Sequence, residues 1–297
     1  MTKQTKKTAE TPCSQTALAS GASKQHGRAV RKPVKPGRII AIANQKGGVG
    51  KTTTAINLSA SVAKLGKKVL VIDFDPQGNT SSGLGIDKDN LTNTIYNMIL
   101  GECPFEDTVL DSIIENLSIL PANVHLAGAE IELIGYDNRE YILKNITKHK
   151  KYDYDFIFID CPPSLNVLTI NALTAADAIL VPIQCEYFAL EGITQLMHTI
   201  SLVQRRLNPN LKIDGAVFTM FDARTNLSAQ VVEEVKLNLG QNVYKTIIPR
   251  NIRLSEAPSH GLPITMYDEK SKGAESYMLL AEEVIANIGE EDNEWVV

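Results

Sequence analysis

Two lysines, three glycines and three threonines fall within the eleven residues Asn44-Gln45-Lys46-Gly47-Gly48-Val49-Gly50-Lys51-Thr52-Thr53-Thr54. Residue types in this order suit one task, which is holding a chain of phosphates. Glycines let the backbone approach closely, loop N–H groups turn inward, and a following helix adds the partial positive charge of its N-terminus. Lys51 would then reach the β- and γ-phosphates and the Thr52 hydroxyl would bind Mg²⁺. Against the pattern G-x-x-x-x-G-K-[ST], Gln45 stands where the first glycine belongs, and an additional lysine, Lys46, precedes the glycine pair. That second cation is the most informative departure in the chain.

Carboxylates supply the rest of the chemistry. Val69-Leu70-Val71-Ile72-Asp73-Phe74-Asp75-Pro76-Gln77-Gly78 is an apolar run that ends in two acids and then a turn. Strand alternation places Asp73 and Asp75 on one side, at the lip where ligands of open α/β sheets bind. A carboxylate beside the γ-phosphate can orient the attacking water. The plainer reading of the same residues is a strand capped by an aspartate before a proline turn. Phe156-Ile157-Phe158-Ile159-Asp160 repeats the pattern of an apolar strand ending in Asp, the Walker-B arrangement, with Asp160 holding Mg²⁺ directly or through water. The Cys161-Pro162-Pro163-Ser164 run that follows is stiff and is a candidate switch element beside the γ-phosphate.

The elements that must position these groups are visible in the periodicity. Apolar runs at 38–43, 68–75, 117–121, 154–160, 178–183, 212–219 and 243–248 read as strands, several of them apolar at every position as in parallel strands covered on both faces. Helical stretches at 52–65, 124–134, 138–149, 166–176, 189–207, 227–239 and 273–288 alternate with them. The pattern predicts a single-domain α/β P-loop NTPase fold, a mostly parallel twisted sheet flanked by helices, over residues 38–289. A polar, basic arm (1–37) precedes it and an acidic tail (290–297) follows.

Charge is distributed unevenly. Residues 1–37 carry eight Lys and Arg against Glu10, a net +7, so the whole-chain charge of −4 leaves −11 on the remainder. The arm reads as a disordered segment, either a solvated tail or an electrostatic attachment to DNA; a transit peptide fits less well, because Lys outnumbers Arg and no amphipathic pattern appears. Its length leaves no room for a helix-turn-helix. No apolar stretch approaches the roughly 20 residues of a membrane span, and no signal-peptide core is present. Four cysteines (Cys13, Cys103, Cys161, Cys185) without C-x-x-C pairing suit a reducing cytosol, with Cys161 and Cys185 as core residues.

With these motifs in place the chain resembles the ParA/Soj partitioning proteins among the deviant-Walker ATPases. The likeness runs from Arg38 to about Ile288 and includes Asp222-Ala223-Arg224-Thr225 and the stretch Ile248-Pro249-Arg250-Asn251-Ile252-Arg253. The resemblance implies that Lys46, Gly47, Gly48, Val49, Gly50, Lys51, Thr52 and Thr53 bind ATP, and that Lys46 reaches across a homodimer to the nucleotide of the other subunit. It implies that Gly47 and Gly48 let two loops meet face to face, that Asp75 positions the water, and that Asp73 supports the Mg²⁺ shell. Pro249 and Asn251 take the adenine end; from local sequence alone Asn251 is equally a helix N-cap. Arg224 and Arg253 match DNA-contacting positions and Arg250 is a nearby candidate. These arginines lie in segments with few neighbouring acids, and contacts confined to phosphates would be independent of sequence and weakened by salt.

The implied function is a slow ATPase that cycles between a DNA-bound ATP dimer and a free ADP monomer, stimulated by a ParB-like centromere-binding partner, in the cytoplasm on the nucleoid. Its rivals are a MinD-like membrane-cycling regulator and an ATP-gated switch with negligible hydrolysis. The first would need a basic amphipathic C-terminal helix where this chain ends Ile288-Gly289-Glu290-Glu291-Asp292-Asn293-Glu294-Trp295-Val296-Val297. Cluster cysteines for an iron–sulfur carrier and a tyrosine-rich kinase tail are both lacking.

Overall fold

A computed structural model describes residues 35–293 apart from 187, 188, 240 and 241. Residues 1–34, and with them most of the basic arm, lie outside the described residues.

In chain order the elements are β1 (Arg38–Ile42), α1 (Lys51–Lys64), β2 (Val69–Asp73), α2 (Asn79–Gly83), α3 (Ile95–Ile99), β3 (Leu110–Asp111) and β4 (Leu117–Leu120). Then come α4 (Ala129–Glu132), α5 (Ile142–Lys150), β5 (Phe156–Asp160), α6 (Val167–Ala175), β6 (Ala178–Gln184), α7 (Ala189–Arg206) and β7 (Lys212–Phe221). The chain closes with α8 (Asn226–Leu239), β8 (Val243–Pro249), α9 (Ile252–Glu256), α10 (Ile264–Tyr267) and α11 (Lys272–Asn293).

The eight described strands form one sheet in the order β3-β4-β2-β5-β1-β6-β7-β8. All pairings are parallel except that of β3 with β4. The central strands are apolar at nearly every position because both faces are covered. On β1, Ile39 and Ala41 join the core beneath α6 and α7, whereas Ile40 and Ile42 join the core shared with α1 and α11. This alternation commits the register, since a slip of one residue would exchange the faces.

Register also builds the site. Ile42 is opposite Asp160 on β5, and Asp160 is opposite Asp73 on β2, so the exit of β1 and both carboxylates share one level of the C-terminal lip. The neighbours β1 and β5 send their chains to opposite sides of the sheet, through α1 to β2 and through α6 to β6. A crevice opens at such a switch point, and ligands of open α/β sheets bind there.

Several expectations shift. β2 stops at Asp73, so Asp75 lies in the turn beyond and strand alternation does not place it. The helix expected over 124–134 is a 3₁₀ turn (Val124–Gly128), α4 and another 3₁₀ turn (Leu133–Gly135). The run holds two glycines, Gly128 and Gly135, which lower its helix propensity. α11 runs to Asn293, which puts the acidic residues 290–292 in a helix rather than in a tail. β3 has two residues, too short for an apolar pattern to announce it.

Candidate nucleotide and metal site

The loop from Asn44 to Gly50 leaves β1 and enters α1 through Gly50, whose φ of 89° is a left-handed conformation that suits glycine. The N-terminus of α1 carries no side-chain cap and no acid in its first turn. Its leading N–H groups are therefore uncommitted and its dipole unopposed, as an anion site requires. The loop is anchored from outside. The Thr219 hydroxyl on β7 donates to the Val49 carbonyl at 2.8 Å, and Asn44 donates to the Pro182 carbonyl on β6 while accepting from the Lys46 N–H.

Lys51 is buried, and its Nζ donates to the Lys46 carbonyl at 3.2 Å. Burial pulls its pKa below the ordinary lysine value, opposed by Asp160, Cys161 and Asp75. The ammonium thus sits in a dry place facing carboxylates. The two lysines of the loop differ in kind, because Lys46 is partly exposed and pairs with Glu186 at 3.0 Å just past the end of β6.

Asp160 and Asp73 are fully buried. Burial lifts Asp160 to about 6, with the hydroxyls of Thr80 and Thr52 pulling it back. Burial and then Asp160 lift Asp73 to about 7. Two carboxylates at one level of adjacent strands resist joint ionisation. Each is met by a neighbouring hydroxyl of α2. Thr80 Oγ1 donates to Asp160 Oδ2 at 2.7 Å, and both the N–H and the Oγ of Ser81 donate to Asp73 Oδ2 at 2.7 Å. Asp73 Oδ1 accepts from the Asp75 N–H at 3.4 Å, so Asp73 holds the turn that carries Asp75. Asp75 in turn accepts from the Gln77 N–H at 3.0 Å.

One polar atom of the site stands apart. Asp160 Oδ1 is buried without a hydrogen-bond partner, which is uncommon for a carboxylate oxygen. A hard cation would satisfy it, and Thr52 supplies the hydroxyl oxygen such a cation also takes. Among the described residues no three or more His, Cys, Asp or Glu side chains gather as metal ligands. The unpartnered oxygen of Asp160 and the Thr52 hydroxyl fit Mg²⁺ held through one carboxylate and substrate phosphates, the usual way this ion is bound.

Alongside the loop lies a cavity of about 320 Å³, lined by Gly50, Thr53, Met220, Pro249, Asn251 and Tyr277 among others. Its size suits a nucleoside. Both residues assigned to the adenine end are in its wall. Asn251 is also the N-cap of α9, accepting from the Arg253 N–H at 2.8 Å, and the amide nitrogen remains available to donate. Arg250 lines the same cavity. Arg253, on α9, and Arg224, beyond β7, stand outside its lining.

Neither of these two is remote from acids, contrary to expectation. Arg224 is paired with Asp222 at 2.6 Å and Arg253 with Glu256 at 2.9 Å and Asp268 at 3.5 Å. Asp222 and Glu256 are sequence neighbours at i−2 and i+3, and only Asp268 is brought in from a later segment, so the expectation undercounted the local acids.

Sequence reasoning missed Glu186, Thr219, Thr80 and Ser81. The Asn79-Thr80-Ser81-Ser82 run after a glycine was the available signal, since small hydroxyl residues gather where backbone and carboxylates need local donors.

The chain matches the AAA domain family over residues 37–213. It is 56% identical over 251 residues to the sporulation initiation inhibitor protein Soj of Bacillus subtilis, covering 84% of this chain and 99% of the relative. The chain belongs to the ParA/Soj family. The chromosome partitioning protein ParA of Myxococcus xanthus is 53% identical over 260 residues, covering 88% of this chain and 92% of that protein. In three dimensions this ParA/Soj chain is similar to the cobyrinic acid a,c-diamide synthase of Mycobacterium smegmatis with bound ADP and magnesium. The TM-score is 0.76 at 38% identity, over 86% of this chain and 96% of the other. The ParA/Soj fold is thus an α/β P-loop ATPase fold with a parallel sheet, as expected from the sequence. Among the described residues no helix is long and apolar enough to cross a membrane.

Proposed function

We propose that this ATPase binds ATP with Mg²⁺ in the crevice above β1 and β5, closes into a homodimer around two nucleotides, binds DNA without reading sequence, and is reset by hydrolysis. The observation that carries the reading is the meeting of three features at one lip: the uncapped start of α1 with Lys51, the unpartnered Asp160 Oδ1, and the adjoining nucleoside-sized cavity.

Lys51 and the α1 N–H groups would neutralise the β- and γ-phosphates, Thr52 and Asp160 would hold Mg²⁺, and Pro249 and Asn251 would receive adenine. Mg²⁺ held there would supply the screening of charge that phosphoryl transfer needs. Asp75 would orient the attacking water, with Asp73 and Ser81 fixing its turn.

Gly47 supports the dimer. It has no left-handed φ, and a Cβ built on it meets nothing within 4 Å, so nothing in its own chain demands a glycine. A closely approaching second loop would. Lys46, on the exposed rim, would then reach the partner's phosphates and offset the repulsion between two polyanions.

Arg224, Arg250 and Arg253 would meet DNA phosphates, and a ParB-like centromere-binding protein would stimulate hydrolysis, placing the ATP form on the nucleoid. The relatives named for chromosome partitioning support this part. Nucleotide titration of wild type beside Lys51→Ala tests the core of the reading. Loss of ATP binding in the variant is expected, and undiminished binding would overturn it.

A further inference from the structure

Nothing in the assigned site explains why Thr80, a residue of α2 rather than of the phosphate loop, is fully buried against the metal carboxylate. Its hydroxyl takes Asp160 Oδ2 at 2.7 Å, and the other oxygen of the same group is left without a partner. A carboxylate can turn about its Cβ–Cγ bond, and in a buried site both of its oxygens compete for any donor. One strong donor on one oxygen removes that freedom. It also lowers the cost of keeping Asp160 charged while the cation is away.

We propose that Thr80 is a positioning residue that orients the Asp160 carboxylate so that Oδ1 is the oxygen presented to Mg²⁺. The inference rests on the Mg²⁺ role given to Asp160 above. Hydrogen bonds of this outer kind fix ligand orientation at metal sites. Thr80 does so from the element whose next residue, Ser81, holds Asp73 and through it the Asp75 turn. A single short helix therefore sets the metal carboxylate with one hydroxyl and the water-orienting turn with the next. The buried position leaves Thr80 no contact with solvent or substrate of its own, so its action passes through Asp160.

The test follows the binding of a fluorescent ATP analogue to the full chain while Mg²⁺ is titrated, with an arm in excess EDTA. Thr80→Val keeps the shape and removes the hydroxyl. It is expected to raise the Mg²⁺ midpoint about ten-fold, to leave the EDTA affinity unchanged, and to be restored by Thr80→Ser. Should the valine variant not fold, Thr80→Ala is read by the same midpoint. A folded hydroxyl-free variant with the wild-type midpoint would overturn the proposal. Asp160→Asn separates this failure from a deeper one. If it shifts the midpoint and Thr80→Val does not, only the role of Thr80 falls; if it too leaves the midpoint unmoved, the metal assignment falls and this inference with it.

Discussion

The Lys46 ammonium of the phosphate loop is held 3.0 Å from the Glu186 carboxylate of its own chain, just past the end of β6. The two side chains are partly exposed, at 30% and 49%, and pairs of this kind contribute at most about 1 kcal/mol. The contact parks the lysine without holding the fold. Glu186→Gln should therefore leave thermal stability within about a degree or two. Lys46→Ala should abolish the ATP-dependent dimer in sedimentation velocity while the monomer still binds nucleotide. A Lys46→Ala protein that dimerises normally with ATP would remove the lysine from the interface.

The proposed DNA face carries its own counter-ions. Asp222 grips Arg224 through two side-chain contacts, at 2.9 and 2.6 Å, and this guanidinium holds the carboxyl well below the usual range. A DNA phosphate would have to compete with that carboxylate. Asp222→Asn is expected to tighten binding to random-sequence DNA severalfold. Arg253→Glu should abolish it with nucleotide binding intact. Affinities measured across a salt series decide both, because fewer phosphate contacts lower the slope of log K against log salt. Weaker DNA binding by Asp222→Asn would mean that Asp222 holds the DNA-binding turn together instead of masking it.

Buried carboxylates also set a pH signature for the nucleotide-free protein. Asp73 and Asp160 are raised to about 7 and about 6 from an ordinary value near 3.8. A raised carboxyl binds its proton more tightly in the fold than in the unfolded chain, so its contribution is present in full below about pH 4 and is lost as pH rises through 6 to 7. The melting temperature without nucleotide is therefore expected to fall by several degrees between pH 5.5 and 8. Asp73→Asn should flatten that slope, and an equally steep slope in the variant would contradict the assignment.

Much of this was legible in the sequence. All seven expected strands exist, because strands covered on both faces must be apolar throughout and leave an unmistakable signal. The phosphate loop was legible for a different reason, since its chemistry is local and nearly every contributor is contiguous. What stayed hidden depends on contacts between distant segments. Glu186 meets Lys46 across 140 residues and Thr80 meets Asp160 across 80, and neither pairing leaves a mark on local composition. Asn251 shows the opposite case. The helix cap and the nucleotide-pocket reading looked like alternatives in one dimension, yet one residue caps α9 and lines the cavity. Asp75 does lie beside Lys51 and Asp160, but strand alternation is not the reason, because β2 ends two residues earlier than its apolar run suggests, with Pro76 and Gly78 turning the chain at once.

The central claim is that hydrolysis at Asp75 ends a DNA-bound state that ATP creates. It is tested most directly by comparing wild type with Asp75→Ala for ATP-dependent dimerisation and DNA retention, with phosphate release followed in the same samples. The account predicts that the variant binds ATP, releases no phosphate and accumulates as a DNA-bound dimer, whereas wild type turns over and dissociates. An Asp75→Ala protein that hydrolyses ATP at the wild-type rate, or that fails to accumulate on DNA, would contradict it.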